Sequence, residues 1–190
     1  MPSHLALTEP SEPEPEPAIY GWLTVDLVHD RGDWSHLIDA APAAIDAAMR
    51  ALASHQTFAQ RPPAEVCIAL SDDAAVRQLN ATYRAKDKPT NVLSFPAGNE
   101  AQEPGSSVVF LGDVVIALET VLDEAANLEI AARHHLQHLA IHGVLHLAGF
   151  DHETEADAAV MEGLETEILA GLGIPNPYNS GFVLESATSA

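Results

Sequence analysis

Six of the ten histidines in this 190-residue chain fall between positions 134 and 152. On a helix, at 100° per residue, His135, His138, His142 and His146 share an arc of ~80°. The intervening positions carry Leu136, Leu139, Ile141, Val144, Leu145 and Leu147, so the helix reads as buried. An unpartnered imidazole in such a place costs on the order of 1–3 kcal/mol. The stripe therefore requires hydrogen-bond partners or a metal ion.

The spacing favours a metal. Histidines at i and i+4, such as His142 and His146, can aim ring nitrogens at one ion. Gly149 then ends the helix, and His152 returns to the same point. The offsets of His142, His146, Gly149 and His152 are 0, 4, 7 and 10. Metzincin proteases carry the same offsets in His-Glu-x-x-His-x-x-Gly-x-x-His. Here Gly143 stands where those proteases have their general-base Glu, so peptide hydrolysis by that route lacks its base. Gly143 also reads as open space beside the ion. Three neutral imidazoles leave a dication its full charge, which suits an anionic substrate such as a phosphodiester. His138 and His142 share the i, i+4 spacing too. The return through Gly149 favours His142 and His146, which leaves His138 as a donor behind a ligand or as a pocket wall. His134 and His135 read as ordinary helix residues. One divalent ion is expected, with zinc the first choice, although nickel, cobalt and copper suit the same donors.

Around this helix the pattern predicts an α+β fold of a single domain. A small mixed β-sheet of about four strands packs with about five helices, one of them the buried His-bearing helix. Strands are expected at residues 19–28, 65–70, 92–95 and 108–116, the last interrupted by Gly112 and Asp113. Helices are expected at 35–53 from a Ser35 cap, from Ser71 or Asp72 to about Tyr83, and at 117–128, 130–148 and 153–169. Residues 1–17, rich in Pro and Glu, read as a disordered acidic tail, 18–172 as the domain, and 173–190 as a loose C-terminal extension. The lone cysteine, Cys67, lies in an apolar run and reads as a core residue, and it permits no disulfide within the chain. No apolar stretch suits a membrane span or a signal peptide, so the cytoplasm is the expected location.

The net charge of −20 argues against a polyanionic partner, yet four of the eight Lys and Arg residues, Arg77, Arg84, Lys86 and Lys88, lie within one short segment. The last three of these lie in the run Tyr83-Arg84-Ala85-Lys86-Asp87-Lys88-Pro89-Thr90-Asn91-Val92-Leu93-Ser94-Phe95-Pro96. It resembles the signature loop and strand of the YbeY family. Leu111-Gly112-Asp113-Val114-Val115-Ile116 resembles that family's central strand. The run from His142 to His152 resembles its metal motif, with Phe150 where Tyr is frequent. The likeness spans roughly residues 19–172. It implies a single-strand-specific, metal-dependent endoribonuclease of ribosomal RNA processing, with the ribosome or its proteins as partners. His142, His146 and His152 would hold the metal, and Arg84 would bind the phosphate with a planar guanidinium. Arg84, His142 and His146 are then the expected catalytic residues. Lys86 and Lys88 could track an RNA backbone. Thr90, Asn91 and Ser94 are either pocket contacts or turn residues. Asp113 is expected in a buried hydrogen bond, and Asp151 either orients an imidazole or caps the last helix. Two other readings stay open: a ribosome-associated assembly factor with a mainly structural metal, and a metallohydrolase of another substrate.

Overall fold

Alternation along residues 64–71 explains the sheet. Val66, Ile68 and Leu70 are fully buried on one face, whereas Cys67 and Ala69 are half-buried on the other. In the computed structural model, which describes residues 16–34, 40–98 and 105–180, these residues belong to the strand Ala64–Ser71 of a five-stranded sheet. In chain order the strands are β1 Ala18–Tyr20, β2 Leu23–His29, β3 Ala64–Ser71, β4 Val92–Pro96 and β5 Val109–Ala117. Their order across the sheet is β1-β2-β3-β5-β4. β2, β3 and β5 run parallel, while the edge strands β1 and β4 are antiparallel to their neighbours.

The single strand expected over 19–28 is two. Gly21, with φ of 60°, lets the chain fold back so that Tyr20 pairs with Leu23. This raises the expected four strands to five. The interruption in β5 is a bulge: Glu65 pairs with Phe110 but Val66 with Gly112, leaving Leu111 as the extra residue. Gly112 has φ of 131°, and a Cβ there would lie 2.1 Å from the carbonyl oxygen of Phe95. Only glycine lets β4 come this close.

Among the described residues five helices accompany the sheet: α1 Ala41–Ser54, α2 Asp73–Arg84, α3 Leu118–Asn127, α4 Ala132–Leu147 and α5 Glu155–Gly171. α1 begins later than expected, at Ala41 with a proline in its first turn, and the expected Ser35 cap lies outside the described residues. Asp72 caps α2, its side chain accepting from the amide of Ala75 at 2.8 Å. Every residue of α4 from His135 to Leu147 is buried, because the helix packs against β4 and β5 and also meets α1, α3 and α5. α2 lies on the opposite face, where Val76, Leu93, Val115 and Ala117 form a second, smaller core.

Candidate metal centre

The end of α4 is built to return the chain. The amide of Gly149 donates to His146 O, and that of Phe150 donates to Leu145 O, each at 3.0 Å. This pair of bonds closes the helix as a Schellman motif, with Gly149 at φ 93°. Arg61 reaches across to the last free carbonyl, that of Ala148, and its guanidinium stacks on Trp22 and Phe58. Phe58 in turn meets Phe150 edge-on. The turn is held on both sides, and it delivers His152 to the side of α4 that carries His142 and His146.

One ring nitrogen from each of His142, His146 and His152 lies within 4.8 Å of the other two. The Nε2 atoms of His142 and His146 are 3.1 Å apart. Zinc–nitrogen bonds of ~2.1 Å at a tetrahedral angle would place two donor nitrogens ~3.4 Å apart. Burial, aided by the neighbouring His142 and His152, lowers the pKa of His146 to about 4. Its ring is therefore neutral at pH 7, with a lone pair to give. The Nε2 atom of His152 is buried and has no hydrogen-bond partner. A buried orphan nitrogen beside two others is what a divalent ion would satisfy, so these residues fit a metal.

The rest of the histidine stripe is satisfied by carboxylates. Glu165 of α5 is fully buried; its Oε1 lies 2.8 Å from His142 Nδ1 and its Oε2 lies 2.7 Å from His138 Nε2. The hydroxyl of Tyr178, from the 3-10 turn Pro177–Ser180, donates to the same Oε2. Burial alone would push the Glu165 carboxyl up, but contacts with His142 and His138 outweigh it and hold the group ionised, well below the usual carboxylate range. Burial and then the Glu165 charge push the Tyr178 phenol up, which keeps it a donor. His138 thus shares the Glu165 carboxylate with His142. His135 is more than an ordinary helix residue: it is buried and pairs with Glu124 Oε2 at 2.6 Å.

Glu165 and Tyr178 were missed in the sequence, although one signal was available. Met161, Leu164, Ile168 and Leu169 form the buried stripe of α5, and Glu165 occupies a position inside it. A charged residue at a core position implies a buried partner. Ile174 is also buried, so residues beyond the expected domain end at 172 belong to the packed body.

Gly143 plays a different part from the one expected. A Cβ there would lie 2.6 Å from Val114 Cγ1 and 3.3 Å from Ser94 Oγ. The missing side chain lets α4 settle onto the sheet; it does not open space beside the histidine cluster. The Ser94 hydroxyl donates to Gly143 O at 3.1 Å, tying β4 to α4 one residue past His142.

Ser94 also lines a cleft of about 530 Å³ with Arg84, Tyr83, Phe95 and Asp113. The residues that line this cleft include none of the three histidines. Arg84 is half-buried at the C-terminus of α2; burial lowers its pKa, yet a guanidinium remains cationic in a protein. Lys86 and Lys88 are exposed on the following loop, whose shape is set by Asn80 Nδ2 donating to Lys88 O at 2.7 Å. Asn91 is buried and structural: its Nδ2 donates to Glu124, and its Oδ1 accepts from the amide of Val92. Asp151 does not cap α5, because Thr154 does. Its Oδ1 instead accepts from the backbone amide of His152 at 2.7 Å, fixing the turn that presents that ring.

Comparison with known proteins gives this arrangement a lineage. A family model described as Endoribonuclease YbeY matches residues 33–173, which hold all three histidines and Arg84. Endoribonuclease YbeY of Azorhizobium caulinodans is 50% identical over 159 residues, covering 82% of this chain and 96% of that protein. The protein of the same name from Rhodospirillum rubrum is 45% identical over 188 residues, covering 94% of each chain. That of Rhodopseudomonas palustris is 55% identical over 115 residues, 60% of each. With the family model spanning most of the sequence and near-full-length relatives at this identity, the chain belongs to the YbeY family.

Proposed function

We propose that this chain is a metal-dependent endoribonuclease that cuts single-stranded regions of ribosomal RNA precursors in the cytoplasm, meeting its substrate with the help of the ribosome or its proteins. The observation that carries the reading is the convergence of three histidine nitrogens, one of them a buried orphan, in a member of a family described as endoribonucleases. His142, His146 and His152 would hold the ion, and zinc suits three neutral imidazoles. When bound, a divalent ion supplies Lewis acidity toward a phosphodiester.

The remaining work falls to the chain itself. Arg84, a fixed cation in the neighbouring cleft, binds a phosphate and stabilises charge that builds on it. Lys86 and Lys88 lie along the same loop, where an RNA backbone leaving the cleft would pass. Gly143 offers no carboxylate for general-base work, which speaks against a protease. His138 is committed to Glu165 and so does not supply a fourth ligand. A site with three protein ligands keeps a position open for substrate, which supports catalysis over a purely structural metal. Among the described residues no helix is long and apolar enough to cross a membrane.

The test is elemental analysis of purified protein with RNA-cleavage assays on the same samples. Wild type is expected to carry about one equivalent of metal, and His146→Ala to lose it together with cleavage. Arg84→Ala should keep its metal and lose at least ~100-fold in cleavage, as when one charge-stabilising donor is removed. A metal-free wild type that stays folded and takes up no added zinc would remove the enzymatic reading.

A further inference from the structure

Glu165 is a carboxylate with no exposed surface, set in the apolar stripe of α5. A charge there is costly unless its environment is built for it. Here it is: Oε1 meets His142, while Oε2 takes both His138 and Tyr178. The geometry points to Glu165 as the positioning residue that locks His142 in its Nδ1–H form and so presents Nε2 to the metal, with Tyr178 and His138 clamping the carboxylate. This rests on the metal reading above and extends it to a residue outside the three ligands.

A metal on Nε2 would need His142 in the Nδ1–H form, and Oε1, 2.8 Å from Nδ1, is placed to accept that hydrogen. In that form the lone pair lies on Nε2, the nitrogen 3.1 Å from His146 Nε2. A histidine ligand needs its other nitrogen bonded in this way to fix the tautomer and the ring plane and to raise its basicity. The clamp makes the arrangement unique. Tyr178 can only donate to a carboxylate that never donates back, and it reaches Oε2 because the α5 end closes at Gly173, φ 74°, and turns the chain back toward α4. A Gln at 165 would keep the shape, but it could rotate its amide and offer an N–H to His142.

The experiment is a zinc titration of the full chain against a competing chromophoric chelator, wild type beside Glu165→Gln. Nitrogen-15 NMR of the zinc-loaded wild type reads which His142 nitrogen carries the proton. The variant is expected to bind zinc ~10–100-fold more weakly, with unchanged circular dichroism when metal-free. The wild-type His142 should show a protonated Nδ1. A folded variant with wild-type affinity, or a His142 that ligates through Nδ1, overturns the assignment and leaves the metal reading standing. If the variant does not fold, the wild-type tautomer decides alone. A wild type that binds no zinc overturns both.

Discussion

Cys67 and Asp113 face one another across β3 and β5, on the side of the sheet that α2 covers only in part. The cysteine is half-buried there and does not sit in the main core, because the alternation of β3 sends Val66 and Ile68 to the core and Cys67 the other way. Burial first, then the Asp113 charge, raises its thiol to about 11. Burial likewise raises the Asp113 carboxyl, which accepts the thiol's hydrogen bond and is partly relieved by it. The sign follows directly: a raised thiol pKa means less thiolate at any pH below it. Relative to its ordinary value of 9.0, Cys67 at pH 8 should hold ~100-fold less thiolate, and thiolate is the reactive form. A disulfide reagent should therefore modify the native protein slowly at pH 8, and faster as pH rises toward 11. Asp113→Asn should speed the reaction at fixed pH. A native rate at pH 8 equal to that of the urea-unfolded chain would contradict the assignment.

At the scale of elements, α4 depends on a close approach that the sequence disguises. Gly143 looks like a vacancy because the protease pattern has a glutamate there; only the position of β5 shows that Val114 fills the space. Gly143→Ala should force α4 off the sheet and cost about 1–3 kcal/mol in urea unfolding, as overpacking does. It should also weaken metal binding, since His142 moves with the helix. Gly163, inside α5 with nothing within 4 Å of a built Cβ, is the control. Gly163→Ala should stabilise by roughly 0.5–1 kcal/mol through helix propensity alone. The same contrast explains what could be read in advance. His142, His146 and His152 were legible because spacing and a helix-ending glycine are local features. The burial of Glu165 could be read from its place in the apolar stripe of α5, but its partners could not, because they meet it only when α5 folds back on α4, and no spacing rule encodes that contact. The strands were placed nearly as found, except where Gly21 splits the first into a hairpin, a turn whose φ depends on pairing that has yet to form.

For the whole molecule the question is how a chain of net charge −20 handles a polyanion. Few of its cations face the cleft. Arg77 is exposed and matched by Asp87, with contacts of 2.7 and 3.0 Å, so its charge is largely cancelled. Arg50 and Arg61 are engaged with Asp46 and with the Ala148 carbonyl. Arg84, Lys86 and Lys88 lie on the stretch beside the cleft. Binding to single-stranded RNA loses about 0.7 log units per log unit of salt for each phosphate neutralised, so three cations predict a slope of about −2. The surrounding acidic surface lowers affinity further and makes association slow at low salt, where repulsion is least screened. Fluorescence anisotropy of a labelled single-stranded RNA with the metal-loaded protein, between 50 and 200 mM salt, should give weak binding with that shallow slope. Replacing Lys86 and Lys88 with Ala should reduce the slope toward −0.7, the value for Arg84 alone. A slope steeper than about −4 would require cations that this face does not hold, and would move the RNA path away from the loop that follows α2.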